Sequence, residues 1–276
     1  MPRFDLHSHS TRSDGLLTPG ELVARAAQRG VTTLALTDHD EVSGLSDAQA
    51  AAGIQGIALV NGVEISVTWN GHTLHVVGLH IDPESSELVK GLEQVRCGRR
   101  SRAESMASSL EQAGITGSLE GARSYAANPD LISRTHFARF LVECGHSRDV
   151  QAVFKKYLVT GRPGYVPHRW ASLEQAVGWI RISGGMPVLA HPGRYKLDNS
   201  QREMLLTQFK DLGGVGVEVV TGSHTAAQFA SWGRYARRFG LLASVGSDFH
   251  GPHESYRDLG DLPALPEGCM PIWASW

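Results

Sequence analysis

The stretch Asp5-Leu6-His7-Ser8-His9-Ser10 lies near the beginning of the chain, and Asp14 follows it closely. Side chains two residues apart in a β-strand point to the same face, so the imidazoles of His7 and His9 should lie side by side. Two such histidines at a strand end, with a carboxylate nearby, form half of a metal site. Taken alone, the motif is equally typical of surface histidines near a terminus, and the rest of the sequence decides between the two.

The composition is that of an ordinary globular protein. A chain of 276 residues is long enough for an α/β barrel, with or without an insertion. The net charge of −2 gives no overall attraction to DNA or to a membrane surface, so anion binding depends on local positive charge or on bound metal. The 13 histidines are unusual, because several follow apolar runs and neighbour aspartate or glutamate.

The cysteine content indicates a reducing compartment. Cys97, Cys144 and Cys269 are far apart and form no Cys-x-x-Cys motif, which argues against a disulfide framework and against a thiolate zinc site. The N-terminal stretch shows no signal-peptide pattern, and no apolar run approaches the ~20 residues of a membrane span. We therefore expect a cytoplasmic protein without membrane contact.

Apolar runs alternate with helical patterns along most of the chain. We expect strands at 3–9, 31–37, 57–65, 186–190, 215–220 and 241–245, and a hairpin whose strands are 66–69 and 73–79. Helices are expected from Thr18-Pro19-Gly20-Glu21 to Gly30 and at 46–52, 172–183, 201–212 and 226–239. Repeated β-then-α units predict a parallel sheet or barrel.

One long segment interrupts this alternation. Helical patterns fill 84–113, 132–144 and 149–158, with no strong strand between them. We interpret 96–165 as a helical insertion that forms a cap. The barrel is then divided into a first part, 1–95, and a second part, 166–276.

Metal-ligand side chains gather where the predicted strands end. The residues concerned are His7, His9, Asp38-His39-Asp40, Glu64, His191, Asp248 and His250. In parallel α/β folds the functional site is built at the carboxyl ends of the strands. The sequence therefore predicts that these side chains meet at one end of a barrel.

These motifs resemble a known family. Five of them, in this order along the chain, resemble those of the PHP (polymerase and histidinol phosphatase) domain: Asp5-x-His7-x-His9-Ser10, Thr37-Asp38-His39-Asp40, Glu64, Ala190-His191-Pro192 and Gly246-Ser247-Asp248-x-His250. The insertion and its Arg134-Thr135-His136 segment are most similar to the stand-alone branch of 3′,5′-nucleotide bisphosphate phosphatases and short-RNA 5′-exonucleases. The resemblance implies an α/β fold, a distorted (β/α)7 PHP barrel with a helical insertion.

The resemblance also implies two or three divalent metals. One would be held by His7, His9, Glu64 and Asp248. A second would share Glu64 and be held by His75 and either His136 or His191, and a third by Asp14, His39 and His250. Imidazole and carboxylate ligands without thiolates suit Mn²⁺, our first expectation, or Fe²⁺ or Zn²⁺. Asp5, Asp38 and Asp40 are expected to orient the imidazoles by hydrogen bonds.

The function implied by the resemblance is metal-dependent hydrolysis of a phosphate ester. The expected substrate is a nucleoside 3′,5′-bisphosphate, whose 3′-phosphate is attacked by a metal-activated hydroxide. Asp248 or His191 would protonate the leaving sugar oxygen. Phosphate contacts are expected from arginines near the site and from one threonine, namely Arg102, Arg134, Thr135 and Arg194.

Three alternatives stay open. The same site could act as a 5′-3′ exonuclease on short RNA or DNA oligonucleotides. A histidinol phosphatase is disfavoured by the insertion, and a non-catalytic PHP module is disfavoured by the nearly complete ligand set. The expected partner is a small nucleotide or a short oligonucleotide, and the sequence leaves the oligomeric state open.

Overall fold

The computed structural model describes residues 2–276, which form one seven-stranded sheet in sequential strand order. The strands are β1 (Phe4–Asp5), β2 (Thr33–Leu36), β3 (Ala58–Trp69), β4 (His72–Leu79), β5 (Met186–Leu189), β6 (Gly216–Thr221) and β7 (Leu242–Gly246). β4 runs antiparallel to both of its neighbours, and the other pairs are parallel. The amide of Leu6 donates to the carbonyl of Val245 at 3.0 Å, so the first strand meets the last and the sheet nearly closes into a barrel.

Nine α-helices accompany the described strands. They are α1 (Pro19–Gln28), α2 (Leu45–Gln55), α3 (Ser86–Gln112), α4 (Ser118–Ser124), α5 (Arg134–Glu143), α6 (Val150–Val153), α7 (Leu173–Ile182), α8 (Asn199–Asp211) and α9 (Ala226–Phe239). Several begin where the sequence predicts, because capping boxes at Thr18, Ser172 and Thr225 satisfy the first free amides. Within residues 2–276, no helix combines the length and apolar character needed to cross a membrane.

The hairpin differs from its prediction. β3 is one continuous strand of 12 residues, whereas the sequence suggested a strand to residue 65 and a separate hairpin after it. Asn70 and Gly71 make the turn with φ values of +45° and +77°, a conformation that these two residue types tolerate best. Ser66 pairs with His75 across the hairpin, so Glu64 and His75 are diagonal neighbours on one face.

The inserted helices have a hydrophobic core of their own. Ala103, Met106, Leu110, Phe137 and Leu141 belong to a cluster that is separate from the barrel cores. The long helix α3 begins beside the barrel and ends in this cluster, which links the two parts. α4 was not predicted, and the boundaries at 96 and 165 stay a prediction that the separate core supports.

Candidate metal centre

The proposed ligands come from nearly every strand and meet at one mouth of the barrel. His7 and His9 follow β1, His39 follows β2, and Glu64 and His75 lie within β3 and β4. His191 follows β5, and Asp248 and His250 follow β7. Barrel closure brings the ligands after β1 close to those after β7. The amide of His9 donates to Phe249 O and the amide of Asp248 donates to His7 O, both at 2.9 Å.

Four side chains form the first group of potential ligands: His7, His9, Glu64 and Asp248. The two histidine Nε2 atoms are 3.1 Å apart, and they lie 3.3 Å and 3.4 Å from Glu64 Oε2 and 3.5 Å and 3.3 Å from Asp248 Oδ1. Four ligands about 2.1 Å from one cation lie roughly 3.4 Å apart when arranged as a tetrahedron. The donor atoms therefore have the spacing of a shared cation.

Glu64 faces two groups of histidines at once. Its Oε2 belongs to the group just described and lies 2.9 Å from His39 Nδ1. Its Oε1 lies 2.8 Å from both His75 Nδ1 and His191 Nε2. One oxygen on each side is the arrangement of a carboxylate that bridges two cations. His39, Glu64 and His75 form the second group of potential ligands.

The third group lies on the side of the cap and consists of His9, Asp14, His39 and His250. Asp14 Oδ1 is 3.4 Å from His250 Nε2 and 3.9 Å from His39 Nε2. His39 thus presents Nδ1 to Glu64 and Nε2 to Asp14, between the second and third groups. Eight of the ten ligands named from the sequence belong to these three groups. A ninth, His191, contacts Glu64.

The unpaired atoms of the site fit a cation. Asp14 Oδ1 and Glu64 Oε2 are buried carboxylate oxygens that accept no well-aligned hydrogen bond within residues 2–276, although His39 Nδ1 lies 2.9 Å from Glu64 Oε2. A buried acceptor without a partner costs roughly 1–3 kcal/mol, and more when it is charged. A divalent cation would satisfy both oxygens, and mixed nitrogen and oxygen donors suit a transition metal. The residues present therefore fit the metals that the resemblance implies.

The protonation states of the site suit ligation for the carboxylates and for two imidazoles, whereas the raised pKa values of His7, His39 and His250 favour protonated forms whose proton a cation must displace. Burial raises the pKa of Glu64, but the charges of His75 and His39 outweigh it and hold that pKa well below its usual value. Asp248 behaves in the same way, with His7 as the main opposing charge. Burial lowers the pKa of His9 to about 3 and that of His75 to about 4, so both imidazoles are neutral at neutral pH. Ionised carboxylates and neutral imidazoles are the forms that bind metal.

Glu218 orients two of the histidines, and the sequence did not single it out for this role. Its Oε1 lies 2.8 Å from His7 Nδ1, which leaves His7 Nε2 free to face the site. Its Oε2 accepts a hydrogen bond from the amide of His191. The available signal was a lone charged residue among the valines of a buried strand, since a buried carboxylate needs partners.

The aspartates expected to orient imidazoles do not do so, which corrects that prediction. Asp5 accepts from the amides of Ser247 and Gly260, and Asp38 from Ser10 and Ser13. Asp40 pairs with Arg99 and accepts from the amide of Ser66. Short carboxylates close to the strand ends reach backbone amides first, so they hold the loops that carry the ligands.

His136 lies outside all three ligand groups. Its Nδ1 accepts a hydrogen bond from the amide of Ser133 at 3.1 Å and so caps the N-terminus of α5. Ser133 in turn donates from Oγ to Asp14 Oδ2 at 2.9 Å. The structure therefore corrects the suggestion that His136 binds the second metal: among the two alternatives, only His191 contacts Glu64.

Arg102 and Arg134, both predicted to bind phosphate, have no carboxylate partner within residues 2–276. The guanidinium of Arg102 packs over Trp170, 5.3 Å from the ring centroid, and that of Arg134 lies 5.5 Å from the centroid of Phe154. Burial lowers the pKa of Arg102 to about 9, and Arg134 adds to this effect by repulsion. Both side chains line one cavity with Glu64, and we call it the inner cavity. An anion bound there would relieve the repulsion.

The other two phosphate candidates lie at the edge of the ligand groups. Arg194 lines the inner cavity and donates to Asp248 Oδ2 at 2.9 Å. Thr135 lines the cavity too, with its amide bonded to Ser133 Oγ. Arg99 was not among the phosphate contacts predicted from the sequence; it also lines the cavity but is already paired with Asp40.

Comparison with known proteins gives a consistent result. The PHP domain profile matches residues 5–221. A 3′,5′-nucleoside bisphosphate phosphatase of Chromobacterium violaceum is 53% identical over 99% of this chain and 96% of its own. The 5′-3′ exoribonuclease Rnm of Salmonella typhimurium is 44% identical over 99% of this chain and 93% of its own.

Solved structures are also similar. An amidohydrolase from Chromobacterium violaceum, with bound sulfate and no metal, is 52% identical, covers 99% of this chain and 95% of its own, and has a TM-score of 0.96. A candidate metal-dependent phosphoesterase of Bifidobacterium adolescentis is 26% identical, covers 99% of this chain and 94% of its own, and has a TM-score of 0.83. These matches, together with the barrel and its ligand groups, confirm the sequence prediction: the chain belongs to the PHP domain family.

Proposed function

We propose that this protein hydrolyses the 3′-phosphate of nucleoside 3′,5′-bisphosphates, converting adenosine 3′,5′-bisphosphate to AMP and phosphate. The main observation is that the inner cavity is lined both by residues of the ligand groups and by two arginines, Arg102 and Arg134, that are not paired with a carboxylate within residues 2–276. A molecule with two phosphates matches the positive charges of this cavity, with one phosphate at the ligand groups and one at the arginines. The name of the 53% identical relative supports the choice.

The proposed cofactors are two or three divalent cations, with Mn²⁺ preferred and Fe²⁺ or Zn²⁺ as alternatives. One would be held by His7, His9, Glu64 and Asp248, one by Glu64, His75 and His191, and one by Asp14, His39 and His250. When bound, such cations supply Lewis acidity toward water and toward the phosphoryl oxygens. The mixed nitrogen and oxygen donors support this assignment.

The protein side chains would bind the substrate and move the protons. Arg102 and Arg134 would bind the 5′-phosphate by charge-assisted hydrogen bonds, with Thr135 beside them. Arg194 would lie against the 3′-phosphate, because its guanidinium already reaches Asp248. The reaction breaks the bond between phosphorus and O3′, and O3′ takes up a proton. Of the two candidates for delivering that proton, we favour His191, because the lowered pKa of Asp248 leaves its carboxylate ionised at neutral pH.

A 5′-3′ exonuclease on short oligonucleotides is the second candidate. The 44% identical relative carries the name of such an enzyme. The chemistry is the same, because release of a 5′-mononucleotide also breaks the bond between phosphorus and O3′ of the first nucleotide. The phosphate then stays on the next nucleotide as a new 5′-phosphate, which the arginines could bind in the following round.

The remaining alternatives have less support. A histidinol phosphatase has no evident use for Arg102 and Arg134, since its substrate carries a single phosphate. A non-catalytic module would not need a ligand set as complete as this one. A cytoplasmic location stays a prediction based on three separated cysteines, all of which are free thiols.

A phosphate-release assay tests the proposal. The protein is stripped with chelator, reloaded with Mn²⁺, Fe²⁺ or Zn²⁺, and incubated with adenosine 3′,5′-bisphosphate, 3′-AMP or 5′-AMP. We expect one equivalent of phosphate and 5′-AMP from the bisphosphate, slower turnover of 3′-AMP, and none of 5′-AMP. Equal rates on all three compounds, or no release from the bisphosphate with any metal, would contradict the proposal.

A further inference from the structure

A second cavity opens beside the ligand groups, and we call it the outer cavity. Its volume is about 340 Å³, within the size range of small-molecule sites. It shares five lining residues with the inner cavity: Thr135, Phe154, Arg194, Asp248 and His250. The two cavities therefore meet at the third ligand group and at Arg194.

The residues that belong to only one cavity show how the two are arranged. Arg102 and Trp170 line the inner cavity and not the outer one, whereas Lys155 and Tyr256 line the outer cavity alone. A substrate whose 5′-phosphate lies at Arg102 and whose 3′-phosphate lies at the ligand groups thus approaches the outer cavity at its 3′ end.

The outer cavity has the side chains that a nucleotide requires. Tyr256 is 70% exposed, so its ring is accessible to a ligand, and Phe154 lies at the boundary shared with the inner cavity. Exposed aromatic rings next to a site for phosphates are typical stacking platforms for bases. Lys155 adds a positive charge and Ser223 a hydroxyl, both suited to the backbone of the same nucleotide.

From this arrangement we infer that the outer cavity binds the nucleotide on the 3′ side of the scissile phosphate, with its base stacked on Tyr256. The inference rests on the proposed function and deepens its second candidate, the 5′-3′ exonuclease, by assigning a binding site to the nucleotide that follows the scissile phosphate. Water oxygen bonds to phosphorus, the bond from phosphorus to O3′ of the first nucleotide breaks, and O3′ takes the proton. The second nucleotide keeps the phosphate on its own 5′ oxygen.

Tyr256 should therefore contribute to the binding of dinucleotides, which are phosphodiesters, and not to the binding of bisphosphates. A bisphosphate ends at its 3′-phosphate and leaves the outer cavity empty, whereas a dinucleotide fills it. The matched variants are Tyr256→Ala, which removes the ring, and Tyr256→Phe, which keeps it. The side chain is exposed, so neither change should affect folding.

The test compares kcat/KM for adenosine 3′,5′-bisphosphate and for a 5′-phosphorylated adenine dinucleotide. We expect Tyr256→Ala to lower the dinucleotide value roughly tenfold, the effect of losing one stacked base, and to leave the bisphosphate value unchanged. Tyr256→Phe should match the unmodified protein on both substrates. Equal losses on both substrates, or no loss on either, would overturn the inference.

A binding measurement separates this inference from the proposed function. The probe is a 5′-phosphorylated dinucleotide with a non-hydrolysable methylene phosphonate linkage and 2-aminopurine as its second base. Stacking should quench its fluorescence with the unmodified protein and with Tyr256→Phe, and Tyr256→Ala should abolish the quenching. Quenching that persists in Tyr256→Ala, or no quenching at all, overturns the inference. A failure to release phosphate from the bisphosphate would instead contradict the proposed function.

Discussion

Ser133 Oγ donates a hydrogen bond to Asp14 Oδ2 at 2.9 Å, so the N-cap residue of the cap helix α5 is bound to a proposed metal ligand. Arg139, on the same helix, donates to the carbonyl oxygen of Asp14 at 2.7 Å and pairs with Glu254. The cap and the third ligand group therefore share Asp14. Cation binding at that group should stabilise the docked position of the cap, and the docked cap should stabilise cation binding in turn.

The first prediction concerns that hydrogen bond. Ser133→Ala removes the bond to Asp14 and the N-cap of α5, whereas Ser133→Thr keeps a hydroxyl. We expect Ser133→Ala to weaken binding of the third cation roughly tenfold, because hydrogen bonds to charged groups contribute about 1.5–3 kcal/mol. Metal content after dialysis measures the effect. An unchanged stoichiometry in Ser133→Ala would show that Asp14 is held without the cap.

The second prediction concerns the unpaired arginines. Arg134→Ala should lower kcat/KM for adenosine 3′,5′-bisphosphate roughly 10- to 100-fold, because the 5′-phosphate loses a charge-assisted partner. The same variant should act normally on 3′-AMP, which has no 5′-phosphate. Arg148→Ala, at an exposed arginine on the surface, is the control. Equal losses on both substrates would place Arg134 outside the 5′-phosphate site.

The third prediction concerns Glu218. Glu218→Gln keeps the shape of the side chain but replaces one of its two acceptor oxygens by an NH2 group, so the side chain can accept from His7 Nδ1 or from the amide of His191 but not from both. His7 also loses the charge that holds its Nδ1. Partners of this kind typically contribute 10- to 100-fold to metal affinity, and we expect a loss in that range by competition with a chelating indicator. Glu203→Gln, at the surface, should bind metal normally. An affinity equal to that of the unmodified protein would exclude this role.

The fourth prediction concerns pH. Burial lowers the pKa of His250, but Asp14 and Asp248 outweigh it and raise the value to about 9 in the metal-free protein. A raised folded-state pKa stabilises the fold fully below the unfolded value of about 6.5, and the contribution is lost as pH rises toward 9. The metal-free protein should therefore lose thermal stability between about pH 7 and 9.

The metal-bound protein should behave differently over the same range. A cation displaces the proton of His250, so metal uptake should release protons and strengthen as pH rises. Thermal unfolding of chelated and loaded samples at several pH values measures both effects. His250→Gln removes one titrating group and should reduce the dependence of thermal stability on pH in the metal-free protein. A slope that is identical in the variant would assign the pH dependence to other groups.

Much of the fold follows from local signals in the sequence. Capping residues such as Thr18 and Ser172 mark helix starts because a free amide needs an acceptor, and short apolar runs mark the buried strands. The family and the barrel were predicted correctly on the motifs at strand ends. The continuous strand β3 was missed because Ser66 and Thr68 interrupt its apolar pattern, although Ser66 is buried beside the site.

The contacts within the site could not be predicted in the same way. Glu218 reaches His7 across 211 positions of sequence, and only barrel closure brings them together. His136 resembled a ligand because it lies in the segment similar to the phosphatases, yet its local bond to Ser133 determines its position. The remaining ligand assignments are proposals that the geometry supports.

Diffraction from crystals soaked in Mn²⁺, recorded at the manganese absorption edge, tests the metal centre most directly. We expect an anomalous peak about 2.1 Å from His7 Nε2, His9 Nε2, Glu64 Oε2 and Asp248 Oδ1. A second peak should lie within bonding distance of Glu64 Oε1. Loaded crystals in which these four side chains surround no anomalous peak would contradict the metal centre and the phosphoesterase proposed from it.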